Sequence, residues 1–393
     1  MTANAPPPLR GMTPEELAEL LAAAGYERFR AKQLFHWLHA RGARSFEEMA
    51  NLPAKLRGWL AEHTRLGGVE EAVRSVPSGD GSTKFLFRLA DGRKIESVLM
   101  PDTKRNYYTL CLSSQVGCAV DCKFCLTGAN GFFRHMSADE IVDQVLFARR
   151  HLKEREPDAI FRNLVYMGMG EPLLNTEAVV KSIRLLTNHD GVDLSPRRIT
   201  VSTSGIIPGI RELAAADTSV NLAVSLNAPT QAMREAIMPI TRKYPLEELL
   251  AALREFPLRP GRRITYEYVL LKGLNDSEAH ARQVAELLRG MRAKVNLIPF
   301  NTNPALPFER PDTSAVDRFA AVLLDEFFTV SVRWSKAQDI SGACGNLATD
   351  SRQRGGAKGV DAAPPAAAPT DDDLAFFAVA AAAAGSNEEE EDD

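Results

Sequence analysis

From Asn106 onward the chain alternates segments that read as strands with segments that read as amphipathic helices, and nothing else limits the fold as strongly. The strand candidates are YYTLCLS (107–113), RNLVYMGMG (162–170), RRITVSTSG (197–205), VNLAVSLNA (220–228), RRITYEYVLLKG (262–273), KVNLIPFN (294–301) and TVSVRWS (329–335). Between most of them lie stretches with apolar residues at helical spacing, such as SADEIVDQVLFARRHL, LEELLAALREF and SEAHARQVAELLRGM. A strand that returns through a helix lies parallel to its predecessor, so the pattern predicts a parallel sheet covered by helices, either doubly wound or closed toward a barrel. In both arrangements ligand groups gather at the C-terminal ends of the strands.

Other regions flank this core. Residues 1–71 read as a small helical domain, with helical periodicity over 13–63 and a capping box from Thr13 and Glu16. Its Arg28, Arg30, Lys32, Arg41 and Arg44 form either a solvated face or an RNA-contacting one. Residues 72–105 alternate as strands do, with Asp91-Gly92 as a hairpin signal, and form a short β extension. The main α/β body runs over 106–350, and 351–393 is a Gly/Ala/Pro-rich, acidic tail expected to be disordered. That tail distorts the charge balance. It carries nine acidic residues from Asp371 onward, and removing them from a net −4 leaves +5. A mildly basic body is compatible with a nucleic-acid partner. No run of eighteen apolar residues occurs and MTANAPPPLR has no apolar export core, so a cytoplasmic protein with no membrane partner is expected.

In a reducing compartment clustered cysteines are metal ligands or catalysts more often than disulfides. Four of the five cysteines fall within CLSSQVGCAVDCKFC (111–125), three of them spaced C-x₃-C-x₂-C, directly after the first core strand. Three thiolates on one loop can converge on one metal centre. Two readings stay open from spacing alone: a zinc site, which needs a fourth ligand such as Cys111 or His135, and an iron–sulphur cluster, which would leave one iron open. The other strand ends carry groups able to bind a ligand: glycines and Glu171 in MGMGEP, hydroxyls in VSTSG and SLNA, and the Asn301 amide in IPFN.

With Phe124 ahead of the last cysteine, Cys118, Cys122, Phe124 and Cys125 resemble the C-x₃-C-x-aromatic-C signature of the radical S-adenosylmethionine (SAM) superfamily. The resemblance implies a partial (β/α) barrel, a 4Fe-4S cluster held by three cysteines, and SAM bound to the open iron through its methionine amino and carboxylate groups. Reduction of the cluster would cleave SAM to a 5′-deoxyadenosyl radical.

The ordered set LCLSSQVGCAVDCKFC, GMGEP, STSG, SLNAP, IPFN and SGACG, over roughly residues 10–350, is similar to the RlmN/Cfr family of RNA methyltransferases, and closer to its RlmN branch. By position, the resemblance implies that Cys118, Cys122 and Cys125 hold the cluster. It implies that Gly170, Glu171, Ser202 (or Ser204), Ser225, Leu226, Asn227 and Asn301 contact SAM. Cys344 would carry the methyl group, Cys111 would resolve it, and Glu96 would accept the ring proton. One departure stands out: the family's SLHA reads SLNA here.

The chemistry so implied is methylation of an adenine ring carbon, a position too weakly nucleophilic for ordinary methyl transfer. A cysteine thiolate takes the methyl group first, a second SAM yields the radical that activates it, and a transient disulfide releases the product. The implied partners are 23S rRNA, tRNA, and an electron donor such as flavodoxin or ferredoxin. Competing readings are the same chemistry at adenine C8, a radical enzyme acting on a non-RNA substrate, and a zinc-bound RNA-binding module.

Overall fold

The computed structural model describes residues 6–102 and 104–347; the expected acidic tail lies outside the described residues. At the N-terminus α1 (Pro14–Ala23) starts as its sequence predicts, with Thr13 and Glu16 exchanging side-chain and backbone hydrogen bonds. Leu17 and Leu21, one helical turn apart, are fully buried. Helix α2 (Arg30–Phe35) continues into a π-helical turn (His36–Arg41), which Gly42 ends at φ +64°. Helix α3 (Ala54–His63) buries Leu56 and Leu60. This helical unit is tied to the body by Arg10, whose guanidinium donates to Asp143 at 2.7 Å.

Three antiparallel strands follow: β1 (Val69–Pro77), β2 (Thr83–Leu89) and β3 (Lys94–Pro101). Phe85, Phe87 and Leu89 alternate inward along β2, as the period of a half-buried strand requires. The expected β extension is thus part of the main sheet. β4 (Tyr107–Cys111) pairs antiparallel with β3 on one side and parallel with a core strand on the other.

After a small hairpin of β5 (Gln115–Gly117) and β6 (Phe132–His135), which brackets the short helix α4 (Leu126–Ala129), the βα series begins. Its strands are β7 (Ile160–Tyr166), β8 (Ile199–Thr203), β9 (Asn221–Ser225), β10 (Ile264–Leu270), β11 (Ala293–Pro299) and β12 (Thr329–Val332). Helix α5 (Ala138–Arg155) precedes β7, and α6 (Thr176–Thr187), α7 (Ile207–Ala215), α8 (Gln231–Ile237), α9 (Leu246–Glu255), α10 (Glu278–Leu287) and α11 (Thr313–Asp325) lie between the strands.

The sheet order β1-β2-β3-β4-β7-β8-β9-β10-β11-β12 places each new core strand beside the last. The edge strands do not pair with each other. Instead, residues just past β12 reach β3: the Arg333 guanidinium lies 3.7 Å from Met100 Sδ, and Lys336 Nζ donates to the Pro101 carbonyl. The result is an incomplete barrel whose gap is closed by loop contacts. One strand face carries Val201, Leu222, Val224, Tyr266, Tyr268, Val295 and Leu297, all buried in the core. The opposite face carries Ser202, Ser225, Glu267 and Asn296. Parallel strands ordinarily read as near-continuous apolar runs, so this period-two alternation marks a polar interior.

Candidate active site

A cavity opens at the C-terminal ends of the strands. It is lined by Cys118, Cys122 and Cys125, by Gly170, Glu171, Ser202, Ser204, Ser225, Asn227, Glu267 and Asn301 from the strand ends, and by Cys344 from the loop after β12.

The three-cysteine loop is shaped by its backbone. Cys118 N–H donates to Gly131 O at 2.9 Å, Lys123 N–H to Ile237 O at 2.9 Å, and Cys125 N–H to Cys122 O at 3.1 Å. A Cβ on Gly128 would come within 3.2 Å of Cys122 N, which explains a small residue just after the triad. Burial pushes the Cys118 thiol up to about 12, with Cys125 adding to the shift. Cys122 and Cys125 are raised for the same first reason. Burial thus favours the neutral thiols, and a cationic centre held by them would favour the thiolates. Among the described residues no three His, Cys, Asp or Glu side chains converge closely enough for a single metal ion. All three cysteines line the same cavity, and three thiols on one loop are the donor set that an iron–sulphur cluster with one open iron would use.

The other strand ends fit a ligand beside that loop. Glu171 is buried; its Oε1 accepts from Leu173 N–H at 2.9 Å and its Oε2 from Ser204 N–H at 2.7 Å. Burial raises its pKa above the usual carboxylate range, and these two N–H groups oppose the rise. Gly170 has φ +97°, and a Cβ there would sit 2.4 Å from Gln115 Cβ, so only glycine permits this approach. Ser204 Oγ and Asn301 Oδ1 are buried on the cavity without a hydrogen-bond partner. Buried polar atoms are rarely left so, and a bound polar molecule would satisfy both. Ser202 differs: its hydroxyl donates to Glu267 Oε2 at 3.4 Å. The Asn301 amide nitrogen donates to Ser335 Oγ at 2.9 Å and to the Cys344 carbonyl at 3.0 Å.

Some of the expected site residues stand differently. Asn227 lines the cavity with a left-handed backbone (φ +58°), yet its Oδ1 accepts from Val269 N–H at 2.8 Å and its amide nitrogen lies 3.2 Å from Met238 Sδ. Its side chain therefore supports β10 as well as facing the cavity. Leu226 presents no lining atom; its side chain is fully buried. Glu96 lies outside the cavity lining, buried in β3, with its carboxylate 3.1 Å from Lys84 Nζ. Cys111 is buried behind the cavity, paired in register with Val98 and Val165. Burial first and nearby Cys344 second push its thiol up to about 12, against the pull of Arg333. Cys111 and Cys344 are both free thiols.

Three residues with no distinctive sequence signal also shape the site. Arg234 is fully buried and donates to the Leu226, Ser204 and Ser225 carbonyls at 3.1, 2.6 and 3.1 Å and to Thr241 Oγ1 at 2.6 Å, cross-tying the ends of β8 and β9. Burial lowers it to about 10. Glu267 is a buried lining carboxylate, raised by burial and opposed by Arg333. Half-buried Arg333 is in turn raised chiefly by Cys344.

Comparison with known proteins follows the same lines. A profile of the radical SAM superfamily matches residues 112–284, and one of the ribosomal RNA large subunit methyltransferase N-terminal domain matches 8–66. The chain is 51% identical over 347 residues to the dual-specificity RNA methyltransferase RlmN of Anaeromyxobacter dehalogenans, covering 88% of this chain and 92% of that one. It is 48% identical over 339 residues to the protein of the same name from Geobacter sulfurreducens, covering 86% and 91%. The crystal structure of a radical SAM methyltransferase from Sphaerobacter thermophilus superposes with a TM-score of 0.83 at 46% identity, covering 87% of this chain and 99% of that one. At this identity and coverage, the chain belongs to the RlmN family of radical SAM RNA methyltransferases.

Proposed function

We propose that this protein methylates C2 of an adenine in 23S rRNA, and of tRNA, in the cytoplasm, using Cys344 as methyl carrier and Cys111 as resolving thiol. The observation that carries this reading is the meeting of three groups: a three-thiol loop, Cys344 on the same cavity, and buried Cys111 as electrostatic neighbour of Cys344. A radical enzyme without a carrier would need neither of the last two.

On this reading Cys118, Cys122 and Cys125 hold a 4Fe-4S cluster, reduced by a flavodoxin or ferredoxin. When bound, the cluster supplies the electron that splits SAM into methionine and a 5′-deoxyadenosyl radical, which takes a hydrogen atom from a methyl group. Gly170, Glu171, Ser202 or Ser204, Ser225, Asn227 and Asn301 position SAM, with Leu226 packed behind them: Glu171 suits an ammonium group, and the unpartnered Ser204 Oγ and Asn301 Oδ1 suit polar ligand atoms. Cys344 Sγ, as thiolate, takes the methyl of one SAM and holds it over the cavity. After that carbon has bonded to the base and the adduct has lost one electron and the ring proton, the Cys111 thiolate attacks Cys344 Sγ. The sulphur–carbon bond breaks with its electron pair going to the carbon, which takes up a proton to become the methyl group, and a disulfide forms that a two-electron reductant resets. Arg333 beside Cys111 favours the thiolate that the resolving step needs. Glu96, paired with Lys84, serves as base for the ring proton only if it gains access to the substrate.

The test is mass analysis of Cys344. After anaerobic incubation with SAM its peptide should be heavier by one methylene, and Cys344→Ala protein should leave RNA unmethylated. Normal methylation by Cys344→Ala would end the proposal. Cys111→Ala should stall as a covalent protein–RNA adduct.

A further inference from the structure

The loop that carries Cys344 is held at the Cys344 carbonyl by the Asn301 amide, on its downstream side by the chain after the three-cysteine loop, and on an upstream side outside the cavity. On the downstream side, Gly345 O accepts from Leu126 N–H at 2.7 Å and Leu347 O from Thr127 Oγ1 at 2.5 Å. These bonds tie Cys344 to the chain just after the three-cysteine loop.

On the upstream side the partner is the turn between β1 and β2, more than 250 residues away in sequence. Ser78 Oγ donates to Asp339 Oδ1 at 2.5 Å and Gly79 N–H to Asp339 Oδ2 at 2.9 Å. Reciprocally, Ala337 N–H donates to Asp80 Oδ2 at 2.8 Å, while Asp80 Oδ1 accepts from Ser82 N–H at 2.9 Å and so fixes the turn itself. Lys84 adds a further link, with Nζ 3.5 Å from the Ser341 carbonyl and 3.1 Å from Glu96.

These contacts have something to hold. Ala337 (φ +57°) and Ser341 (φ +52°) both adopt the left-handed backbone, which side-chain-bearing residues enter at a cost. Just after Ser341, Gly342 N–H closes the loop on Ala337 O at 2.8 Å. Such a conformation persists where surrounding bonds over-determine it.

We propose that the β1–β2 turn is a clasp that positions Cys344, with Asp80 and Asp339 as its two positioning residues. The inference rests on the carrier role assigned to Cys344. It gives the β extension a task in catalysis: keeping the carrier sulphur over the cavity instead of swinging about its downstream anchor.

The test uses the full chain with its cluster, kept anaerobic, with iodoacetamide as probe and each cysteine scored separately by mass spectrometry. Asp80→Ala/Asp339→Ala removes all three hydrogen bonds across the clasp and should speed Cys344 alkylation about thirtyfold, about threefold for each bond lost. Cys111 alkylation should stay unchanged, and the yield of 5′-deoxyadenosine per methylated RNA should rise. Asp339→Asn keeps an acceptor for Gly79 N–H and should remain near wild type. Ser78→Ala, a milder change should the double variant not fold, should move the same rate about threefold, as one lost hydrogen bond would. Unchanged Cys344 alkylation in a natively folded double variant would overturn the clasp. The alkylation readout needs no methyl transfer, so it stands even if Cys344→Ala protein proves active and the carrier role fails.

Discussion

Cys111 offers a quantitative test of how the resolving thiol is stored. Its thiol is pushed from an ordinary 9.0 to about 12, first by burial in β4 and then by Cys344. An ordinary thiol of 9.0 goes from about a tenth to about nine-tenths thiolate between pH 8 and pH 10, so its alkylation rises about tenfold and then levels off. For Cys111 the thiolate fraction goes from about 10⁻⁴ to about 10⁻², so its alkylation should rise about a hundredfold with no plateau. The ratio is the same whether the reagent enters the native site or a locally opened one, because the neutral native thiol remains the dominant species throughout. The sign for stability follows from the same shift. The folded value lies above the unfolded one, so the contribution is fully present below pH 9 and is lost as pH rises toward 12, up to about 4 kcal/mol. The assay is iodoacetamide alkylation at a series of pH values, with the modified cysteine located by tandem mass spectrometry. A tenfold rise that levels off near pH 10 would refute the burial argument.

Other consequences are as direct. His39 is fully buried, stacked on Phe35 at 4.2 Å, with neither ring nitrogen partnered, and burial lowers it from 6.5 to about 3. The unfolded chain binds that proton below pH 6.5 and the native one does not, so stability falls with pH through this window. The loss should be about 2 kcal/mol by pH 5 in urea titrations, and His39→Leu should flatten it. Arg234→Met leaves three carbonyls and a hydroxyl without their donor and should cost about 3 kcal/mol or more in the same assay. Glu171→Gln keeps an acceptor but removes the charge and should weaken SAM binding about tenfold by equilibrium dialysis, with protein stability little changed.

The parallel core was legible because strand-like segments alternate with amphipathic helical stretches, and the structure places the strands in one sheet in sequence order. The cavity-lining residues were legible where they end a strand with a turn signal, as Gly170, Glu171 and Asn301 do. Glu267 was not, because inside TYEYV a carboxylate looks like any residue on a solvent-facing strand. Only the in-register pairing of Glu267 with Ser225 and Asn296 turns it inward. Arg234 sits on an ordinary amphipathic helix, and nothing local announces that its donors end on carbonyls of two strands. The partners of Asp80 and Asp339 likewise depend on the sheet curling until its two sides meet. Glu96 shows the converse: position along a motif gave it a role, while the fold keeps its carboxylate beside Lys84, outside the cavity lining.

The central claim is that this chain places a methyl group on adenine C2 by way of Cys344. Anaerobic reaction of the cluster-loaded protein with SAM, a reductant and unmodified 23S rRNA, followed by nucleoside mass spectrometry, tests it most directly. The account requires 2-methyladenosine, formed together with 5′-deoxyadenosine and absent with Cys344→Ala protein. Finding 8-methyladenosine, or no methylated adenosine from protein that cleaves SAM, would contradict it.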